Sequence, residues 1–270
     1  MTALLHALIF FVGCVFGSFL GAASYRIPRG MSLVLPRSQC PQCGRTLEAS
    51  DLVPVLSYLL QRGRCAYCGQ EISGRYPLIE VISGGLVSLF FLRYGLSWYF
   101  VVQVTLALWA LLLAVIDLEC RRLPNMLTIS GMALGLGLNT VWYVVRQIDP
   151  TKNPAMDRGL LSSWGWAMLS PRFSPWYSLA GIAVGGGILW LLALLWRGGM
   201  GGGDVKFLAA IGSFLGPGAA LLALFLGSLL GSVVGMPFLL SGRWQRGQAV
   251  PFGPFLAASA ILIALAGPLL

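Results

Sequence analysis

The sequence predicts an all-α polytopic membrane protein of about eight transmembrane helices, with a small cytoplasmic zinc-knuckle insertion after the first helix. Three observations predict it. Apolar residues make up 57% of the 270 positions and charged residues only 10%, whereas soluble domains carry roughly 25% charged residues. Mean hydropathy is +0.81, and apolar stretches approaching the ~20 residues of one helical crossing cover most of the chain. Two Cys-x-x-Cys pairs, Cys40/Cys43 and Cys65/Cys68, share one polar insertion. This composition excludes a secreted enzyme, a disordered chain and a soluble Rossmann-type protein.

Apolar runs and their breakers place spans near Ala3–Ala23, Leu78–Tyr94, Trp98–Ile116, Pro124–Val145, Tyr177–Trp196, Val205–Leu215, Ala219–Leu240 and Pro251–Leu269. The first has no basic residue before it and runs directly into a basic segment, so it reads as a retained span and not as a cleaved signal. The sixth is too short to cross as a straight helix and reads as broken, tilted or buried among its neighbours. The chain thus divides into a first helix (1–24), a four-cysteine domain (25–77) and a membrane domain (78–270) with an outer loop at 146–176. That loop carries Pro150, Pro154, Pro171 and Pro175 and the stretch Trp164-Gly-Trp166, and reads as an interfacial loop anchored by tryptophans.

The net charge is +9, from 18 Lys+Arg against 9 Asp+Glu. In a soluble protein that excess would point to nucleic acid; here it points to cytoplasmic loops and lipid headgroups, and no nucleic-acid partner is expected. One set of loops holds Arg26, Arg29, Arg37, Arg45, Arg62, Arg64, Arg75, Arg121, Arg122, Arg197, Lys206, Arg243 and Arg246. The opposite side holds only Arg93, Arg146, Lys152, Arg158 and Arg172. The positive-inside rule therefore puts the cysteine domain in the cytoplasm and both termini outside.

The cysteine text is Cys40-Pro-Gln-Cys43-Gly44 and Cys65-Ala-Tyr-Cys68-Gly69. Each pair reads as a zinc knuckle: two thiolates reach one metal from a tight turn, and the glycine supplies a positive φ. The 21-residue spacing between the pairs lies just beyond the usual four-cysteine window. A redox dithiol is the rival reading, but a cytoplasmic location disfavours disulfides. Four thiolates leave no open coordination position, which makes the metal structural. Cys14 and Cys120 read as inert small apolar residues.

The nine acids can be sorted one by one. Asp149 and Asp157 fall in the outer loop and Glu48, Asp51 and Glu71 in the cysteine domain, where solvation is expected; Glu80, Asp117, Glu119 and Asp204 remain. Asp117 ends one apolar span and Asp204 begins another, and a carboxylate at membrane depth is costly enough to suggest function. Gly201 and Gly203, in the glycine run before Asp204, would let a substrate backbone approach closely. Two aspartates on facing helices could share one proton and hold a water between them, as in aspartic proteases. Asp204 sits at a helix N-terminus and Asp117 at a C-terminus, so the macrodipole argues for Asp204 as general base and Asp117 as the partner that starts protonated. Pairing with nearby Arg or Lys is the competing, purely structural role. Lys206, two residues from Asp204, is expected to face away from it and meet lipid headgroups or substrate. Glu80 reads either as an ion pair with Arg75 or as a contact to a substrate amine or cofactor.

Gly201-Gly-Gly203-Asp204-Val-Lys206 resembles the Gly-x-Gly-Asp signature of membrane aspartic proteases. Together with Asp117-x6-Pro124-Asn125 it resembles the bacterial type IV prepilin leader peptidase/N-methyltransferase family. The likeness extends through Gly17-Ser-Phe-Leu20, Tyr25-Arg-Ile-Pro28, Arg37-Ser-Gln-Cys40, Asp51-Leu-Val-Pro54, Arg62-Gly-Arg-Cys65, Arg75-Tyr-Pro-Leu-Ile-Glu80 and Pro251-Phe-Gly-Pro-Phe255. The resemblance implies a bifunctional enzyme of the bacterial inner membrane. Such enzymes cleave the basic leader of prepilins or pseudopilins after a glycine at the cytoplasmic face, then N-methylate the new terminal residue with S-adenosylmethionine. It implies Asp117 and Asp204 as the catalytic pair, and a cysteine domain that accompanies methylation and is missing from peptidase-only relatives. The outer insertion is longer than the family leads one to expect. Without the resemblance two other classes stay open: a non-enzymatic secretion-apparatus membrane subunit, and a membrane thiol oxidoreductase. Methylation itself is not legible in the residues, since no Gly-x-Gly-x-x-Gly fingerprint is present.

Overall fold

Residues 2–40, 42–148, 174–195, 201–241 and 251–267 are described by a computed structural model. Among them the apolar runs fold as helices, no strand occurs, and the only bridges are two isolated antiparallel pairs, Gln39 with Thr46 and Arg64 with Glu71. In chain order the helices are α1 (Thr2–Arg26), α2 (Leu56–Leu60), α3 (Arg75–Tyr94), α4 (Trp98–Cys120) and α5 (Asn125–Ile148). They continue as α6 (Pro175–Leu195), α7 (Gly202–Leu215), α8 (Pro217–Leu240) and α9 (Gly253–Ala266). The outer loop expected at 146–176 falls almost wholly outside the described residues.

The expectation of eight spans is met in part among the described residues. Six helices, α1, α3, α4, α5, α6 and α8, are long and apolar enough to cross a membrane. Helices α7 and α9 have 14 residues each, about 21 Å of helix against ~30 Å of hydrocarbon. For α7 this agrees with the sequence, which marks Val205–Leu215 as too short for a straight crossing; α9 is shorter than the run Pro251–Leu269 expected there.

The chain forms two compact units, Met1–Leu96 and Ser97–Leu270. In the first, α1 packs on α3 backbone to backbone. A Cβ added at Gly17 would sit 2.6 Å from Glu80 Cα, and one at Gly13 would sit 2.7 Å from Gly84 Cα. Small residues at four-residue spacing are how helices associate where lipid is as apolar as leucine. The Arg75 guanidinium donates to Ser24 Oγ at 3.2 Å, holding the adjoining ends of the two helices together. The cysteine-bearing segment 27–74 is the loop between them.

In the second unit α7 is the centre, with every residue from Phe207 to Leu215 buried. Trp109 of α4 stacks edge-on against Phe207 at 5.3 Å and donates its indole N–H to Leu127 O at 3.1 Å. Gly181 of α6 and Gly212 of α7 touch so closely that a Cβ on either would overlap the other's backbone. Asn139 of α5 donates to Ser178 Oγ at 2.7 Å and to Ser213 O at 2.9 Å, joining α5, α6 and α7 with one buried amide. Ser259 of α9 donates to Ala223 O of α8 at 2.8 Å. A short helix satisfied on all sides by protein can sit at membrane depth without crossing it.

Candidate functional site

Asp117 lies in the last turn of α4, where Arg121 closes the helix in the left-handed conformation (φ 50°) and returns its N–H to Asp117 O at 2.9 Å. Its side chain is 5% exposed, and Oδ2 accepts the Gly253 N–H at 2.9 Å. Gly253 is the first residue of α9. Asp204 stands in the first turn of α7, half-buried, with Gly201 as N-cap and its own N–H on Gly201 O at 3.1 Å. The two aspartates are 87 positions apart in the chain, and contact between Gly203 and Leu123 sets the first turn of α7, with Asp204, against the turn that follows the Asp117 end of α4.

This arrangement removes the basis for separating the pair by helix ends. Asp117 does terminate α4, but the N-terminus of α9 points a backbone N–H at it. Each aspartate therefore faces the positive end of a helix, Asp204 that of α7 and Asp117 that of α9. A neighbour 136 residues away in the chain supplies this field, so local sequence could not reveal it.

The remaining residues sort as follows. Gly203 is where α7 meets the α4–α5 turn: a Cβ there would lie 2.9 Å from Leu123 Cβ. Gly201 is exposed and caps the helix with extended backbone. Lys206, expected to face away from Asp204 and meet lipid headgroups or substrate, donates its Nζ to Asn125 Oδ1 at 2.7 Å at an exposed position and ties α7 to the start of α5. Asn125 belonged to the predicted motif, but its role as the partner of Lys206 carried no sequence signal. Glu119 is exposed.

In the other unit the four cysteines converge. One ligand atom from each of Cys40, Cys43, Cys65 and Cys68 lies within 4.8 Å of the others, with Cys40 Sγ and Cys68 Sγ at 3.9 Å. Tetrahedral zinc with Zn–S of about 2.3 Å sets sulfurs about 3.8 Å apart, so the donor set fits. The two knuckles repeat one geometry. Gly44 N bonds Cys40 O and Gly69 N bonds Cys65 O, each at 2.9 Å, with φ of 69° and 70°. No heavy atom lies within 4 Å of a Cβ added at either glycine, so the backbone angle and not space calls for glycine. The N–H groups of Cys43 and Gln42 lower the Cys40 thiol to about 7. At Cys68 the Gln70 N–H favours the thiolate, but desolvation and hydrogen bonds with Cys65, Cys43 and Cys40 prevail and raise it to about 11. Four crowded thiols of this kind need a cation before all can ionise.

Asp51, expected to be solvated, is instead the hub of the cysteine domain. It accepts from Gln61 Nε2 at 2.8 Å, Tyr67 OH at 3.1 Å and Glu48 N at 3.1 Å. Tyr67 sits in the second knuckle and carries Arg45 of the first over its ring at 3.9 Å. Glu80, 8% exposed, accepts the Val55 N–H at 2.7 Å. Val55 holds φ 62°, a strained value for a β-branched residue, and the buried carboxylate clamps it there. Cys14 is buried and Cys120 partly so, as expected of small apolar residues.

Comparisons agree with this division. Residues 11–94 match the Bacterial Peptidase A24 N-terminal domain, and residues 104–236 match the Type IV leader peptidase family. The chain is 33% identical over 261 residues to a "Prepilin leader peptidase/N-methyltransferase" of Bacillus subtilis (strain 168), covering 97% of this chain and 94% of that protein. Relatives of the same description occur in Pseudomonas putida (34% identical; 95% of this chain, 88% of that protein) and Neisseria gonorrhoeae (31% identical; 93% and 87%). No solved structure matches at a significant level. On its near full-length likeness to these relatives and the two matching regions, the chain belongs to the type IV leader peptidase family.

Proposed function

We propose that this protein removes the basic leader peptide of type IV prepilins or pseudopilins and N-methylates the new terminal residue. It would do so at the cytoplasmic face of the bacterial inner membrane. The observation that carries the reading is the aspartate pair: two carboxylates held on α4 and α7 of an apolar helical unit, with Gly253 N–H on one of them. Two such groups share one proton, because both cannot ionise at close range. A water between them gives a proton to the ionised carboxylate as its oxygen attacks the carbonyl carbon of the leader glycine. The protonated partner gives its proton to the carbonyl oxygen. The C–N bond then breaks as the departing amine takes the water-derived proton from one carboxyl, and a hydroxyl of the gem-diol returns its proton to the other as the new carboxyl group forms, which restores the shared proton.

The basic residues favour the cytoplasmic face: Arg121 and Arg122 flank Asp117 and are exposed, and the whole cysteine domain falls on the same side by the positive-inside rule. Helices α7 and α9 would lie at membrane depth among the longer helices of their own unit, α7 against α5 and α6 and α9 against α4 and α8. The four cysteines would hold zinc as a structural staple for segment 27–74, with lipid headgroups against the surrounding arginines. S-adenosylmethionine would supply the methyl group. The described residues contain no strand and hence no strand-to-helix glycine loop to cradle it, so methylation rests on family membership, and Glu80 serves here as the clamp on Val55. Purified protein given a prepilin and labelled S-adenosylmethionine should shorten the pilin and label it. Shortening without label would confine the function to cleavage, and no shortening would overturn the reading.

A further inference from the structure

The start of α9 offers Asp117 a single donor. A helix leaves its first four N–H groups without intrahelical partners. Here Pro254 has none to offer, and Phe255 N and Leu256 N both bond to Phe252 O, at 3.1 and 3.2 Å. Only the Gly253 N–H is left, and it meets Asp117 Oδ2 at 2.9 Å in a buried setting. The approach depends on the missing side chain: a Cβ at Gly253 would stand 2.7 Å from that same oxygen and 3.1 Å from Asp117 Cγ.

Resting on the proposed peptidase function, we propose that Gly253 is a positioning residue for cleavage. Its N–H holds Oδ2 of Asp117 and so commits Oδ1 to the reacting water and to Asp204. A carboxylate on a free rotor could present either oxygen. One buried charge-assisted bond with a glycine backbone pressed against it leaves one orientation. The sequence Pro251-Phe-Gly-Pro-Phe255 thus serves geometry at three positions: Phe252 O absorbs two donors, Pro254 removes one, and Gly253 gives the remaining one to Asp117.

The test replaces Gly253 with glycolic acid, which swaps the amide for an ester and removes the N–H without adding an atom; Gly253→Ala is made in parallel. Prepilin cleavage is measured for kcat and KM, and N-methylation is followed on pilin already cleaved. The ester should lower kcat for cleavage by roughly 10- to 100-fold, the usual weight of a hydrogen bond to a charged group. KM and methylation of the pre-cleaved pilin should not change. Gly253→Ala should lose more kcat, again with methylation intact. Wild-type cleavage by the ester protein overturns the proposal, as does a parallel loss of cleavage and methylation in both variants. If the wild-type protein itself fails to shorten prepilin, the peptidase reading falls and this inference with it.

Discussion

At the residue scale, Asp117 and Asp204 stood out because the chain has only nine acids and these two interrupt apolar text at helix ends. Converting either to Asn removes a proton-transfer group, so leader cleavage should fall by at least about 10²- to 10⁴-fold. Far-UV circular dichroism and bound metal should be unchanged; wild-type cleavage in either variant would show that the pair does not carry the reaction. What the residues could not disclose was their setting. Gly253 reads as one glycine among 35, and only the chain's return brings it to Asp117. Lys206 is a related case: its spacing from Asp204 does not show that the start of α5 lies within its reach. The Lys206–Asn125 bond is exposed, so a double-mutant cycle with Lys206→Met and Asn125→Ala should give a coupling of no more than about 1 kcal/mol.

At the element scale, close helix approach decides where α7 begins. Gly203→Ala would push Leu123 from the first turn of α7 and loosen the hold on Asp204. Cleavage should drop about 10-fold or more, since misplacement by an ångström is costly to catalysis. Leu123→Gly should restore much of it, because it removes the Cβ that the added methyl would meet at 2.9 Å; failure of that rescue would place the cost elsewhere than this contact. In the knuckles the reasoning differs, because space is open and φ is the constraint. Gly44→Ala should destabilise its turn by about 1–2 kcal/mol and release metal at lower chelator concentration. Gly44→Asn, which tolerates the left-handed region, should recover most of the loss. Helix positions were legible to within a few residues because apolar runs and glycine or proline breakers mark them. Crossing number was not, since apolarity reports burial and α7 is buried by protein.

At the scale of the whole molecule, each unit contains its own chemistry: the cysteine cluster lies within Met1–Leu96 and the aspartate pair within Ser97–Leu270. Stripping zinc with a chelator, or replacing Cys40 and Cys65 with Ser, should therefore abolish stoichiometric metal and methylation. Leader cleavage should stay within about twofold, as expected of independent sites. Equal loss of both activities would show that the metal supports the peptidase fold as well. Composition by itself determined that this is a helical membrane protein, because so little charge leaves the chain no soluble surface. The paired cysteines and scarce acids singled out the side chains on which the proposed function rests, because those residue types are costly wherever they serve no purpose. Tertiary structure alone decided that α7 is buried by protein on all sides and that Asp51 and Glu80 brace the cysteine domain. It also decided that Asp117 and Asp204 each face a helix N-terminus. The physical reason is the same in each case: burial by protein, hydrogen-bond partners and helix fields depend on segments far apart in sequence, and only folding brings those segments together.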